Sequence, residues 1–235
     1  MSAHEQTVQA HGAPAETPPL GVPPGEVEAS VPSWKLLLTL GLGGALSGLL
    51  IVLLYTWTLP GIESYKAGIL RAAITDVLEA PARSDTLYLV GGALTESRPA
   101  GDQATHAERV YRGYDAAGKP IGYAIEASGP GFSETIHLIF GLDLGTHRLL
   151  GMKILESKET PGIADDIERP VFMKQFAGAN TPVVGVKASQ KGSQEGVVVM
   201  ITGATISSRS VIKALNTTLA RWQPLLEQYE QARKH

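Results

Sequence analysis

The chain has 235 residues, a formal charge of −3 and no cysteine. The near balance of charge argues against a nucleic-acid surface. The missing cysteines exclude thiol catalysis, disulfides, iron–sulfur clusters and cysteine-ligated zinc. The six histidines, at positions 4, 11, 106, 137, 147 and 235, form no HExxH-like pair, so no metal site is expected.

Residues 1–33 hold six prolines and four glutamates but no lysine or arginine. That composition predicts an extended, disordered tail, and it lacks the basic start and early apolar core of a signal peptide. Residues 36–57 are uncharged, enough for a helix to cross a bilayer. Trp34 and Trp57 bracket this stretch at headgroup depth, with Lys35 placed to snorkel. Gly44 and Gly48 form a GxxxG pair, a face on which another helix can pack. Lys35 on one flank against Lys66 and Arg71 on the other leaves the orientation open.

Beyond the anchor, Ile62, Tyr65, Ile69, Ala73, Ile74 and Leu78 recur at helical spacing and predict an amphipathic helix over 62–78, continuing from Pro60. A strand is expected over 86–90, stopped by Gly91-Gly92, with a polar loop over 96–105. Two hairpins follow. Strands over 109–114 and 120–126 flank Asp115-Ala116-Ala117-Gly118, and strands over 135–142 and 148–155 flank Asp143-Leu144-Gly145-Thr146. Gly129-Pro130-Gly131-Phe132-Ser133 is a tight loop between them, and Tyr111, Tyr114 and Tyr123 are read as sheet packing. Pro161-Gly162 marks a turn ahead of short helical pieces reaching Phe176. A further strand is expected over 183–187, then a polar loop over 190–195.

The stretch that organises the rest is Thr202-Gly203-Ala204-Thr205. Before it runs Val197-Val198-Val199-Met200-Ile201, a buried-strand pattern between two glycines. After it, Ser207 and Ser208 read as N-cap residues of an amphipathic helix that buries Val211, Ile212, Leu215, Leu219, Trp222 and Leu226. Gly203 and Ala204 allow close approach to the backbone. The free N–H groups and dipole of a helix start favour an anion there, typically a phosphate.

Glu159-Thr160-Pro161-Gly162-Ile163 with Asp166-Ile167, followed later by Thr202-Gly203-Ala204-Thr205, resembles the periplasmic FMN-binding domain family of ion-translocating electron-transport complexes. That family includes the G subunit of the Rnf type and the C subunit of the sodium-translocating NADH:quinone reductase. The resemblance covers the anchor and nearly everything from residue 60 onward. It implies an α+β fold: a single N-terminal transmembrane helix, then one domain with a mostly antiparallel sheet flanked by helices. The domain boundaries expected are a tail over 1–33, an anchor over 34–58 and the FMN-binding domain over 59–235.

The resemblance further implies FMN held covalently, its phosphate esterified to Thr205, with Thr202, Gly203 and Ala204 cradling that phosphate. A flavin transferase using FAD would install it. Glu159, Thr160, Gly162 and Ile163 would line the isoalloxazine side, Lys187 would contact phosphate or flavin, and Ser133 falls in the family's Gly-Tyr-Ser loop. The chain departs from the pattern at Ala164, at Glu134, and at Val199, where the family carries Asp six residues before the acceptor.

The function so implied is electron relay by a subunit of an Rnf-type complex in the inner membrane, with the C-terminal domain periplasmic and other subunits of the complex as partners. It fits the lack of an acid–base pair or nucleophile–base dyad in the sequence. Two other readings stay open: a non-redox anchored scaffold with a degenerate flavin site, and the equivalent subunit of a sodium-translocating quinone reductase. A Ser/Lys hydrolase is disfavoured, because Ser157 and Lys158 are adjacent and would point to opposite faces of a strand.

Overall fold

The computed structural model describes residues 32–101, 107–159, 165–190 and 196–233. The chain divides into two units, residues 1–57 and 58–235. Helix α1 runs Ser33–Val77, and its apolar part is long enough to cross a membrane. Over 33–57 its side chains are exposed throughout, leucines and valines included. The amphipathic helix expected over 62–78 is the last part of α1, which runs through Pro60 to Val77.

The second unit is built on a six-stranded sheet of order β2-β1-β3-β4-β5-β6, antiparallel at every pairing. The strands are β1 (Arg83–Val90), β2 (Ala93–Thr95), β3 (Arg109–Tyr114), β4 (Pro120–Pro130), β5 (Thr135–Asp143) and β6 (Arg148–Glu156). Both hairpin turns fall where their residues call for them. Asp115 accepts from the N–H groups of Ala117 and Lys119, and Asp143 accepts from Gly145 N–H and from the Thr146 hydroxyl. Such Asx turns hold the chain in a tight reversal. Strand β4 outruns its expected end at Glu126 because β5 keeps pairing with it to Pro130.

Alternation along the strands loads both faces of the sheet. One face carries Leu87, Val110, Ile125, Leu138, Phe140 and Leu142 against the C-terminal helix. The other carries Tyr111, Ala124 and Ile139 against Ala73, Ile74 and Val77 at the end of α1. Contact there is close: a Cβ on Gly141 would lie 2.1 Å from the Val77 carbonyl oxygen, so only glycine admits the helix end at that point. Tyr111, Tyr114 and Tyr123 are all buried in the sheet, as packing residues.

After β6 the chain passes through a 3₁₀ turn (Asp165–Glu168), helix α2 (Pro170–Met173) and another 3₁₀ turn (Lys174–Phe176). It then forms a parallel pair, β7 (Val184–Val186) with β8 (Val197–Val199), and ends in helix α3 (Thr205–Arg233). β8 is two residues shorter than the apolar run suggests. Past Val199 the pairing continues, among the described residues, in one bond from Met200 N–H to the Val186 carbonyl at 2.8 Å.

Candidate functional site

Helix α3 begins at Thr205 itself, so Ala204 stands in the N-cap position and Ser207 and Ser208 lie inside the first turn. This corrects the expectation that the two serines cap the helix. Ser208 works from within instead. Its hydroxyl accepts from Ile201 N–H at 3.1 Å and donates to the Ala204 carbonyl at 2.9 Å. That ties the exit of β8 to the first turn of α3.

Helix geometry leaves the N–H groups of Thr205, Ile206 and Ser207 without an intrahelical acceptor. The first bond of the α3 ladder is Ser208 N–H to the Ala204 carbonyl, 2.9 Å. An alanine at the cap has no side-chain oxygen for the N–H groups that follow it. Gly203 precedes it at φ +91°, a backbone state that favours glycine, and among the described residues nothing lies within 4 Å of where its Cβ would be. Thr202 and Gly203 are exposed, Ala204 is buried and Thr205 is half-buried. Among the described residues the Thr205 hydroxyl makes only a long contact, 3.4 Å, to the Ile201 carbonyl. An uncapped helix start with open space before it and a loosely held hydroxyl upon it fits a phosphate ester.

Glu159 joins this helix start to the tip of the β4–β5 hairpin. The residue is 6% exposed. One carboxylate oxygen, Oε1, accepts from Phe132 N–H at 2.9 Å and from Ser133 N–H at 3.3 Å. The other, Oε2, accepts from the Ser207 hydroxyl at 2.9 Å. Gly131 makes room for it, since a Cβ there would fall 2.0 Å from Oε1. The loop is closed by Gly131 N–H to the Glu134 carbonyl at 2.7 Å. Ser133 thus meets Glu159 through its backbone.

Lys187 follows β7 directly and is exposed. Because β7 and β8 run parallel, Lys187 leaves the pair at the same end as the 202–205 turn. The structure therefore brings together Ser133, Glu159 and residues 202–205, and sets Lys187 at the same sheet end. Thr160, Gly162 and Ile163, expected beside the isoalloxazine, lie outside the described residues.

Two participants carried no legible signal in the sequence. Ser207 reads as a cap but spends its hydroxyl on Glu159. Gln175 clamps Val199: its Oε1 accepts from Val199 N–H at 2.9 Å, and its Nε2 donates to the Val199 carbonyl at 3.2 Å. The only trace of either is a polar residue at a position the surrounding pattern would bury.

Residues 131–220 match the FMN-binding domain family. The chain is 28% identical to the G subunit of the ion-translocating oxidoreductase complex of Methanosarcina acetivorans over 185 residues, which is 79% of this chain and 92% of that one. It is 36% identical over 121 residues to the protein of the same name from Salmonella typhi, covering 50% of this chain and 56% of that one. The match to the Salmonella protein thus spans little more than half its length. Among solved structures, NqrC of Shewanella oneidensis shares the fold, with a TM-score of 0.58 and 17% identity over 72% of this chain and 99% of that one. Over residues 131–220 the chain is similar to the FMN-binding domain family, and over most of its length it is similar to a G subunit of an ion-translocating oxidoreductase complex.

Proposed function

We propose that the protein is the electron-relay subunit of an Rnf-type ion-translocating oxidoreductase complex, with FMN joined through its phosphate to Thr205. The observation that carries this reading is Thr205 at the first position of α3, behind an alanine cap and an open Gly203, within the segment that matches the FMN-binding domain family. Flavin supplies one- and two-electron chemistry when bound. The chain's own part is to hold it. Thr205 would give its hydroxyl oxygen to the ester; with FAD as donor, the bond to AMP breaks, AMP leaves and the hydroxyl proton is released. The first-turn N–H groups would face the phosphate, while Glu159 and the 131–134 loop wall the site.

In this reading residues 34–58 anchor the protein in the inner membrane, residues 59–235 form the FMN-binding domain on the periplasmic side, and the 1–33 tail lies outside both. Its partners are the other subunits of the complex and a flavin transferase. The apolar stretch of α1 and the similarity to complex subunits support the anchor. The test is peptide mapping by mass spectrometry after co-expression with a transferase. The peptide holding Thr205 should gain the mass of FMN less water. An unmodified peptide, with the transferase active on another substrate, would refute the linkage.

A second reading, a non-redox scaffold of such a complex, is favoured by one observation. Val199 stands where the family's Asp precedes the acceptor, and its backbone is held by Gln175. Val199→Asp separates the two. Faster flavin loading in this variant supports a working but slow acceptor; no loading in either form supports the scaffold.

A further inference from the structure

We propose that Glu159 is the positioning residue of the flavin-attachment site, a clamp that grips α3 from its buried side and leaves Thr205 facing outward. The inference rests on the functional reading above and adds a task for a side chain expected only to line the flavin. Both carboxylate oxygens are engaged with protein donors, and those donors come from two different elements. Phe132 and Ser133 give backbone N–H groups from the hairpin tip, and Ser207 gives its hydroxyl from α3. The backbone of Glu159 is pinned as well, its N–H reaching the Ser157 hydroxyl at 3.3 Å.

Helix geometry then assigns the faces. Successive residues turn by about 100°, so Ser207 and Thr205, two apart, point about 200° from each other. Ser207 is 1% exposed and meets the carboxylate inside. Thr205 consequently stands on the open side, half-buried, its hydroxyl held by little else. A carboxylate suits the clamp because three donors and the positive end of a helix offset its burial. Were the clamp lost, the first turn of α3 and the 131–134 loop would move independently, and the acceptor hydroxyl would lose its fixed place relative to both.

The experiment uses the full chain in detergent, co-expressed with a flavin transferase, as wild type, Glu159→Ala, Glu159→Gln and Ser207→Ala. Two readouts are taken: flavin fluorescence of the denatured band, and amide hydrogen exchange over 131–134 and 205–208 in protein made without transferase. Glu159→Ala should load at least tenfold more slowly, roughly the loss that a misplaced reacting group brings, and should speed exchange in both segments. Glu159→Gln should recover most of the loading, since an amide oxygen still accepts from the loop and the Ser207 hydroxyl can turn to accept. Ser207→Ala should loosen 205–208 and leave 131–134 protected.

Wild-type loading and exchange in Glu159→Ala would overturn the proposal. So would a Gln variant no better than Ala, which would mean that the charge, not the clamp, is what matters. If Glu159→Ala does not fold, the Gln and Ser207 variants decide on the same criteria. If wild type itself takes no flavin, the functional reading fails, while the exchange of the two segments still decides the clamp.

Discussion

Gln175 closes the open side of Val199 as a strand would, with its amide oxygen 2.9 Å from Val199 N and its amide nitrogen 3.2 Å from Val199 O. β7 already occupies the other side of β8. Val199 is thus bonded on the side away from β7, although only one neighbour of β8 is a strand. That short strand aims the chain into the 202–205 turn.

Gln175→Ala should therefore destabilise the domain by about 1 kcal/mol, the low end of the cost of leaving a donor and acceptor unmet, since Val199 is only partly buried. Gln175→Glu keeps the acceptor but loses the donor, and should fall between. Urea unfolding of the three proteins checks the order. An alanine variant as stable as wild type would mean that water replaces the clamp without loss.

Far along α3, Arg112 and Glu230 form the other fixed point of that helix. The Arg112 side chain is 2% exposed, and its Nη2 lies 2.7 Å from Glu230 Oε1. The guanidinium stacks over the rings of Tyr114 and Tyr123, 5.2 and 5.8 Å from their centroids. The Tyr123 hydroxyl donates to the same glutamate. Removing Glu230 leaves a buried cation, which costs about 3–5 kcal/mol when a buried pair is broken from one side. Glu230→Ala should approach the lower figure, since Glu230 itself is partly exposed. Adding Arg112→Met should recover part of the loss, and a double-mutant cycle measures the coupling. Simple additivity would contradict the pairing.

Buried tyrosines give the domain an alkaline limit. Burial, and after it the Glu230 contact, pushes the Tyr123 hydroxyl well above its usual range. Burial and then the charge of Glu126 do the same for Tyr111. Tyr229 is pushed up to about 12 by burial and by its bond to Glu96. A raised folded pKa favours the protonated form, so this contribution is whole below the unfolded value of 10 and is lost as pH rises toward the folded values. The melting temperature should decline from pH 10 upward, and Tyr123→Phe should make that decline shallower. Equal slopes in the two proteins would contradict the assignment.

What could be read in advance follows from how local each signal is. The hairpins were legible because Asp115, Gly118, Asp143 and Gly145 state their turns within a few residues. The faces of α3 were legible because Val211, Leu215, Leu219 and Leu226 repeat at helical spacing. The helix start was misplaced because Ser207 and Ser208 are good caps by type, while their hydroxyls are spent on Glu159 and on the 201–204 backbone. β2 escaped because three residues are too few to alternate. The Gln175–Val199 clamp and the Arg112–Glu230 pair join residues distant in sequence, and no periodicity announces a partner that only the fold supplies. Within the site, Thr205 and Glu159 were legible as residues, but the task of Glu159 became visible only with its three donors in place.

Flavin attachment at Thr205 is tested most directly by denaturing gel electrophoresis viewed under ultraviolet light. Wild-type chain co-expressed with a flavin transferase is run beside Thr205→Ala. A fluorescent band in the wild type that disappears in the variant is the predicted result. A band of equal brightness in both would place the flavin elsewhere, and no band in either, with the transferase active on another substrate, would contradict covalent attachment and turn the account toward a scaffold subunit.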